Sequence, residues 1–288
     1  MPVNDELGKR MKEYYEQIPK TKLMRRTPVA IRLDGRAFHT FTKGFQKPFD
    51  EVLVKSMQKT TKYLCENIQG CVLGYTQSDE ITLILVDYKN LNTAAWFDYE
   101  VQKMCSIAAS MATLEFNKFF YQEALEWYNK MNPTTLTDEQ TVGAQFQTYK
   151  KATEKGAMFD ARVFNIPKEE VTNLIYWRQL DAIRNSIQMV GQANFSHKEL
   201  QFKSCKDIKE QLAIAKDICW DTDIPIHLQR GSCCIKESNT CISTEINEHG
   251  EVLEGRGPYI RTEWIIDENI PLFKDEGREY IERLVNFE

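Results

Sequence analysis

The sequence lacks long apolar runs and lacks cysteines spaced for metal binding. No stretch of the 288 residues approaches the ~18 apolar residues of a membrane span, so we expect no membrane partner. Residues 1–10 have no apolar segment like that of a secretory signal, which favours a cytoplasmic location. The eight cysteines include no Cys-x-x-Cys pair. Buried, reduced thiols are therefore a simpler interpretation than a structural zinc site.

Extreme composition is also absent. Apolar residues make up 42% and charged residues 27%, which excludes disorder or fibrous repeats for the whole chain. The net charge of −5 argues against a generally basic surface for nucleic acid. The charge is uneven, because residues 237–288 carry 13 acidic and 5 basic side chains. Basic clusters at 9–12, 20–26 and 198–209 fit either a solvated surface or phosphate contacts.

Periodicity predicts four strands and three long helices, followed by shorter elements. The predicted strands are residues 29–33, 71–75, 81–86 and 161–166, and the predicted helices are residues 51–68, about 93–130 and about 167–190, the last ending near Gly191. Capping boxes at Ser196 with Glu199 and at Ser204 with Asp207 predict two further helices. The polar segment 132–156 has no clean period, which predicts an excursion or a flexible loop.

The order strand, helix, strand, strand, helix, strand over residues 29–166 predicts an α+β fold with a ferredoxin-like core. We expect residues 1–236 to form the catalytic region and residues 237–288 to form a small acidic C-terminal extension. In a ferredoxin-like sheet the first and third strands are usually neighbours. The end of the first strand then lies near the turn between the second and third.

Three carboxylates are expected at that position. Asp34 ends the first strand, and Asp79 and Glu80 lie at the hairpin turn. Their mutual repulsion calls for a cation, and Mg²⁺ prefers oxygen ligands. Gly35 would let the backbone approach a ligand. The alternative is that Asp34-Gly35 and Ser78-Asp79 are ordinary turn residues.

The segment 38–48 is rich in aromatic and basic side chains. Such a loop could hold a nucleotide, with Lys47 on the phosphates and an aromatic ring or His39 against the base. The alternative is a surface loop whose phenylalanines pack into the core, with His39 as a structural residue.

Six motifs resemble, in order, the tRNA(His) guanylyltransferase superfamily of 3′→5′ nucleotide-adding polymerases over roughly residues 10–236. They are Arg32-Leu-Asp-Gly-Arg36, Phe38-His39, Phe45-Gln-Lys47-Pro48, Tyr75-Thr-Gln-Ser-Asp-Glu80, Phe159-Asp-Ala-Arg162 and Trp177-Arg-Gln-Leu-Asp181. Enzymes that add G to tRNA(His) usually carry His-Ile-Asn-Asn where this chain has Ile183-Arg184-Asn185-Ser186. That departure resembles the bacterial and archaeal guanylyltransferase-like branch, whose members repair 5′-truncated tRNA.

The resemblance implies a palm-type core, two Mg²⁺ ions, ATP, GTP and other nucleoside triphosphates as substrates, tRNA as partner and a homotetramer. The implied catalytic carboxylates are Asp34, Asp79 and Glu80, and the implied metal ligands are Asp34, Gly35 and Asp79. The implied nucleotide-binding residues are Gly35, Arg36, Ala37, Phe38, His39, Lys47, Ser78 and Lys103. The implied tRNA-binding residues are Arg162, Arg178, Asp181 and Asn185.

The implied reaction is templated addition of nucleotides to the 5′ end of truncated tRNA. ATP would adenylylate a 5′-monophosphate, and the 3′-hydroxyl of a nucleoside triphosphate would then displace AMP. Three alternatives are a tRNA(His) G−1 guanylyltransferase, a palm-fold nucleotide cyclase and a catalytically silent RNA-binding module.

Overall fold

The fold combines one antiparallel sheet with helices on both of its faces. The structure is a computed structural model and describes residues 5–131, 136–241, 245–246, 252–253 and 259–287. Its strands are β1 (Val29–Gly35), β2 (Cys71–Gln77), β3 (Glu80–Leu85), β4 (Phe159–Asn165), β5 (Ser232–Cys241), β6 (Glu245–Ile246), β7 (Val252–Leu253) and β8 (Tyr259–Asp267).

Most helices lie between β1 and β5. The helices are α1 (Asp5–Met11), α2 (Phe38–Phe41), α3 (Glu51–Asn67), α4 (Val101–Met131), α5 (Leu136–Lys155), α6 (Val171–Asn194), α7 (His197–Leu200), α8 (Cys205–Lys216), α9 (Trp220–Asp223), α10 (Ile226–Arg230) and α11 (Glu279–Val285). Among the described residues, every helix is too short or too polar to cross a membrane.

Six of the described strands form the main sheet in the order β4-β1-β3-β2-β5-β8, and all neighbours are antiparallel. The first and third strands are therefore adjacent, as expected. The α+β class, the four predicted strands and the helix between the first two are confirmed. Both predicted capping boxes are also present, at the starts of α7 and α8.

Side chains that alternate along β1 enter two separate cores. Val29, Ile31 and Leu33 belong to the core beneath α3, α4 and α5, whereas Ala30 belongs to the core on the opposite face. This alternation is the two-residue period of a strand. Because β1 is buried on both faces at its start, its end is held firmly where the polar residues begin.

An aromatic cluster fixes the segment after β1 to the first core. Neighbouring rings in the cluster have centroids 5.1 to 5.9 Å apart. The cluster consists of Phe38, Phe41, Phe45, Phe116, Phe120, Tyr149 and Phe159. Such ring pairs add to the free energy gained by burial alone.

The C-terminal segment completes the opposite core. Ile270, Phe273, Ile281 and Val285 are buried there with residues of α6. The predicted division at residue 236 falls inside β5, which pairs with both β2 and β8. Beyond residue 236, β8 therefore belongs to the same sheet and α11 to the same core, whereas β6 and β7 pair in a separate two-stranded sheet.

A third cluster joins the second half of α6 to α8 and α9. The Trp220 indole N–H donates a 3.1 Å hydrogen bond to Ser186 Oγ. Gly191 does not end the helix as predicted, since α6 continues to Asn194. A Cβ at Gly191 would lie 2.8 Å from Ile208 Cγ2, so the glycine permits close packing of α8.

Two further predictions are corrected by the structure. The helix predicted from about residue 93 begins at Val101, because Phe97 and Asp98 have left-handed φ values of 50° and 51°. The loop prediction for 132–156 is wrong over α5, whose Tyr149 is fully buried. Residues 132–135 of that prediction lie outside the described residues.

Candidate active site

The end of β1 meets the turn between β2 and β3. Asp34 is the register partner of Glu80, and the Gly35 N–H donates a 3.1 Å hydrogen bond to the Asp79 carbonyl. On its other side, Asp34 is the register partner of Asp160 in β4. The sheet therefore brings together the carboxylates that the sequence placed at two separate turns.

Tight backbone geometry shapes this junction. Ser78 has a φ of 50° at the two-residue hairpin turn, and Ala37 has a φ of 53° immediately before α2. Gly35 is required by packing, because a Cβ there would lie 2.3 Å from a ring carbon of Phe38. The aromatic cluster behind Gly35 therefore leaves no room for a side chain at this position. The expectation that the glycine lets the backbone approach a ligand stays a prediction.

A cleft of about 550 Å³ opens beside these residues. Eight of the residues selected from the sequence line it, namely Asp34, Gly35, Ala37, Phe38, His39, Lys47, Ser78 and Asp79. The 38–48 loop packs its phenylalanines into the core, as the alternative interpretation expects, and its role in nucleotide binding stays a prediction. The rings of Phe38, Phe41 and Phe45 are buried, whereas His39 and Lys47 are exposed at the cleft.

The two cleft carboxylates are poorly compensated. Burial raises the pKa of Asp79 to about 6, and the nearby Asp34 charge contributes to that rise. Burial also raises the pKa of Asp34, with further contributions from Glu80 and Asp160. The hydroxyl of Ser78 donates to Asp79 Oδ1 at 3.1 Å, and no ion pair to Asp79 occurs within the described residues.

This electrostatic situation fits a bound cation. A divalent ion would remove the repulsion that raises both pKa values, and carboxylates are the ligands that Mg²⁺ prefers. Among the described residues, no group of three or more His, Cys, Asp or Glu side chains is arranged to hold a metal. Asp34 and Asp79 therefore stay candidate ligands, and backbone or substrate oxygens would have to complete a metal site.

Glu80 differs from its neighbour Asp79. Its carboxylate accepts hydrogen bonds from Arg32 at 2.8 Å, from Arg178 Nε at 2.9 Å and from Gln77 at 3.1 Å. The side chain of Arg178 is 6% exposed and also bonds to Asp181 at 2.9 Å. Glu80 is thus neutralised by two guanidinium groups, and its catalytic role stays a prediction.

The four residues predicted to bind tRNA differ in their exposure and in their partners. Arg178 is buried and already bonded to two carboxylates, which leaves little of it for tRNA, and its predicted tRNA contact stays a prediction. Asp181 also bonds to Arg184 and Asn185. Asn185 lines a narrower cavity beneath the hairpin. Arg162 is exposed on β4 and pairs with Asp160, at 3.2 Å.

Lys103 and Arg36 lie outside the cleft lining. Lys103 is exposed, and its Nζ lies 5.6 Å from the centroid of Phe97. The α4 residue that packs on Phe38 is Phe116, about 20 Å further along the helix from Lys103. Lys103 therefore does not reach this cleft within one copy of the chain, and its predicted phosphate contact stays a prediction. Arg36 is exposed, and its backbone N–H donates to the Met158 carbonyl at 2.8 Å.

Sequence reasoning missed Asp50 as a cleft residue. Its carboxylate accepts hydrogen bonds from the backbone N–H of Gln46 and Leu53 and from the Tyr149 hydroxyl. Burial raises the pKa of Asp50, and these three bonds oppose that rise. An aspartate immediately before a predicted helix is an N-cap signal, so part of this role was readable. Met189 and Gln192 of α6 also line the cleft.

Comparison with known proteins defines the class of enzyme. A bacterial tRNA(His) guanylyltransferase (Thg1)-like protein in complex with ATP is 36% identical, with a TM-score of 0.74 over 97% of this chain and 99% of that one. A corresponding structure in complex with GTP is 35% identical, with a TM-score of 0.71 over 98% and 100%. Fold and cleft together are those of a nucleotidyltransferase.

The family model for tRNAHis guanylyltransferase matches residues 8–167. This chain belongs to the tRNAHis guanylyltransferase (Thg1) family, which confirms the resemblance noted in its motifs. The probable tRNA(His) guanylyltransferase of Homo sapiens is 25% identical over 55% of this chain and 45% of that protein. The chain thus matches less than half the length of that relative.

Proposed function

We propose that this protein adds nucleotides in the 3′→5′ direction to the 5′ end of truncated tRNA, with the opposing strand as template. The observation that carries the proposal is the half-buried pair Asp34 and Asp79, whose pKa values are both raised, in a cleft of a Thg1-family chain. The relatives bound to ATP and GTP support nucleoside triphosphates as its substrates.

The core topology supports a palm-type, ferredoxin-like catalytic unit. Residues 29–165 contain the strands β1 to β4 in the sheet order β4-β1-β3-β2, with α3 and α4 in the two crossovers. The site lies where β1 ends beside the hairpin turn. Rigid strands on both sides hold the two carboxylates in position, as a charge-neutralising site requires.

The proposed reaction requires Mg²⁺, which the oxygen atoms at the end of β1 and at the hairpin turn are suited to bind. Asp34 and Asp79, with the Gly35 carbonyl, would hold Mg²⁺, two ions in the proposed mechanism. When bound, the metal would favour ionisation of the attacking hydroxyl and neutralise phosphate charge. The protein itself supplies fixed anionic oxygens and the cleft that surrounds them.

The loop after β1 is proposed to hold the triphosphate. Lys47 lines the cleft and makes no ion pair within the described residues, so its ammonium is available for phosphate. His39 lies in the same lining and provides a second polar group. The aromatic cluster anchors this loop through Phe38, Phe41 and Phe45, which limits its movement during catalysis.

The proposed reaction has two steps. A 5′-monophosphate attacks the α-phosphorus of ATP, which releases pyrophosphate and leaves an adenylylated RNA end. The 3′-hydroxyl of the incoming nucleotide then attacks that end and displaces AMP. A 5′-triphosphate end needs no activation, because pyrophosphate is its leaving group. Positioning and charge neutralisation supply most of the acceleration in such transfers.

Repair of truncated tRNA is favoured over obligate G−1 addition by residues 183–186. Arg184 bonds to Asp181, and the Ser186 hydroxyl is buried against Trp220. These side chains serve the packing of α6 rather than presenting the His-Ile-Asn-Asn sequence of the G-adding enzymes. A homotetramer that shares tRNA among subunits is expected from the family resemblance.

The test uses a 5′-labelled, non-histidine tRNA that lacks its first nucleotide, with Mg²⁺, ATP and each nucleoside triphosphate in turn. We expect extension by one nucleotide in the wild type and none without Mg²⁺. Asp160→Asn is the matched control, because Asp160 also neighbours Asp34 but is exposed and paired with Arg162. It should retain near wild-type extension.

The competing functions predict different results in extension, in nucleotide consumption without RNA and in tRNA binding. Addition of G to tRNA(His) alone would replace repair by G−1 addition. Consumption of nucleotide without RNA would indicate a cyclase. Binding of tRNA without any extension would indicate a silent binding module.

A further inference from the structure

A second concave surface adjoins the cleft. The "Phe202 groove" has a volume of about 560 Å³ and lies where α6 ends and α7 and α8 begin. Its principal lining residues are Gln188, Gln192, Phe195, His197, Phe202 and Lys203. This volume is within the range of ligand sites in proteins. None of the six belongs to the set of carboxylates or phosphate-binding residues assigned above.

The groove and the cleft share a wall on α6. Gln192 lines both surfaces, and Met189, one turn earlier on α6, also lines the cleft. The groove therefore lies beside the cleft along this helix. The shared wall is polar at Gln192, which suits a hydrogen-bonding ligand.

The Phe202 ring is almost fully exposed, so the fold gains no free energy from burying it. It is 97% exposed and makes no ring contact within the described residues, whereas the other groove phenylalanine, Phe195, is half-buried. Its φ of 64° is uncommon for a bulky residue and is a position that favours glycine. An outlier of this kind is typical of functional sites.

Two capping boxes fix the short connection that carries Phe202. Ser196 and Glu199 close the start of α7, and Ser204 and Asp207 close the start of α8. Because the side chains of both acids accept hydrogen bonds at these helix starts, their charge is partly engaged. The ring is thus held outward by a locally ordered segment.

Positive charge surrounds the exposed ring. Lys198, Lys203 and Lys206 lie within four residues of Phe202, and all are exposed. Lys203 makes no ion pair in the part of the chain that the structure describes. Lys206 pairs with Glu210 at 3.8 Å, so Lys203 and Lys198 are the lysines without an ion pair among the described residues. An exposed ring beside such lysines is one way in which proteins bind unpaired nucleotides, by stacking on the base and attracting the phosphate.

We propose that the Phe202 groove binds the unpaired 3′ nucleotides of the RNA whose 5′ end occupies the cleft. One base stacks on Phe202, and the adjoining phosphate lies near Lys203. The identity of the RNA end rests on the proposed function, whereas stacking on the groove does not. At a duplex end, the strand opposite the 5′ terminus continues as this unpaired segment, and α6 leads it from cleft to groove.

The experiment compares two RNA hairpins with the same 5′-monophosphate, one blunt and one with four unpaired 3′ nucleotides. Equilibrium affinity is measured by fluorescence anisotropy for the wild type, Phe202→Leu, Phe202→Trp and Lys203→Gln. Leu91→Ala is the matched control, since Leu91 is 86% exposed and lies beyond the other end of β3. We expect the wild type to prefer the RNA with the 3′ extension.

Stacking and charge predict separate signatures. Phe202→Leu should weaken binding of the extended RNA about tenfold, leave the blunt RNA unchanged and be rescued by Phe202→Trp. Lys203→Gln should reduce the slope of log affinity against log salt by about 0.7, the contribution of one phosphate contact on a single strand. Phe202→Leu should leave that slope unchanged.

Equal affinity for the two hairpins in the wild type would overturn the proposal, as would equal losses for Phe202→Leu and Leu91→Ala. Extension of RNA by the wild type, measured beside binding, separates this inference from the proposed function. If the wild type fails to extend RNA but Phe202→Leu still weakens the extended hairpin selectively, the groove stands and the polymerase activity falls. If the wild type extends RNA but binds the two hairpins equally, the polymerase activity stands and the groove proposal falls.

Discussion

Asp79 and Glu80 are neighbours in the chain but have opposite electrostatic surroundings. Asp79 faces the cleft with a hydroxyl as its side-chain partner, and its pKa is raised to about 6. Glu80 accepts hydrogen bonds from two guanidinium groups, one of them buried. At the same hairpin turn, the Asp79 carboxylate has no cationic partner among the described residues, whereas the Glu80 carboxylate is neutralised by two arginines of the protein.

This difference separates two uses of a buried charge. A carboxylate with no fixed partner costs stability and is retained where a metal or substrate will neutralise it. A carboxylate held by arginines joins elements, and here Glu80 joins β3 to α6 through Arg178. We therefore expect substitutions at Asp34 or Asp79 to affect chemistry and substitutions at Glu80 to affect the fold first.

The largest expected effect is on catalysis. Asp34→Asn or Asp79→Asn should lower the rate of nucleotide addition about 10³-fold, because each removes an anionic metal ligand. Single-turnover extension of 5′-truncated tRNA measures the rate, and far-ultraviolet circular dichroism checks the fold. Near-wild-type rates in either variant would remove that residue from the site.

Glu80→Gln should mainly reduce stability. It leaves the buried Arg178 with one carboxylate instead of two, and breaking a buried ion pair costs about 3 kcal/mol. Urea unfolding measures the loss, and the double variant Glu80→Gln with Arg178→Met should lose less than the sum of the two single variants. An unchanged unfolding free energy with a complete loss of activity would instead make Glu80 catalytic.

Asp79→Asn should stabilise the metal-free protein at neutral pH. Folding raises the Asp79 pKa above its unfolded value, so the ionised group destabilises the fold above about pH 6 and this penalty fades as the pH falls toward 4. The variant should gain on the order of 2 kcal/mol at pH 8. Unfolding in EDTA at pH 8 and at pH 4 measures the gain.

Magnesium provides the control for this result. Added Mg²⁺ should stabilise the wild type and not the variant, because only the wild type retains both carboxylates. Equal stability of wild type and variant at pH 8 would show that Asp79 is not electrostatically strained.

The smallest expected effect is at Tyr149. Tyr149→Phe removes its 2.8 Å hydrogen bond to Asp50 and should cost about 1 kcal/mol of unfolding free energy. Two backbone donors remain on Asp50, so α3 should keep its start. A raised KM for nucleoside triphosphate with unchanged kcat would show that α5 positions the loop bearing Lys47. Unchanged stability and KM would limit Tyr149 to packing.

Local signals made the strands and the capping boxes predictable. Ser196 and Ser204 cap helices through residues three positions away, and Asp34 reaches the hairpin because β1 and β3 pair directly. Both capping signals are short in range, so one sequence suffices to identify them. The pairing of the first and third strands followed from the order of elements.

Long-range partners were not predictable. Arg178 is 98 residues from Glu80, and no local pattern links a helix residue to a distant hairpin. The helix α5 is mostly polar, and over residues 140–155 its buried side chains are those of Tyr149 and Ala152. So few buried positions give no clear helical period in the sequence. Lys103 was chosen by resemblance, and its distance from the cleft depends on how α4 lies against the sheet.

The central claim is templated 3′→5′ addition at the cleft formed by β1 and the β2–β3 turn. The most direct measurement changes the acceptor-strand base opposite the missing 5′ nucleotide of a tRNA and identifies the nucleotide that is added. The account predicts that the added nucleotide follows the Watson–Crick partner of each of the four bases, and that Asp79→Asn adds none. Addition of G regardless of the opposing base, or no addition to any of the four RNAs, would contradict it.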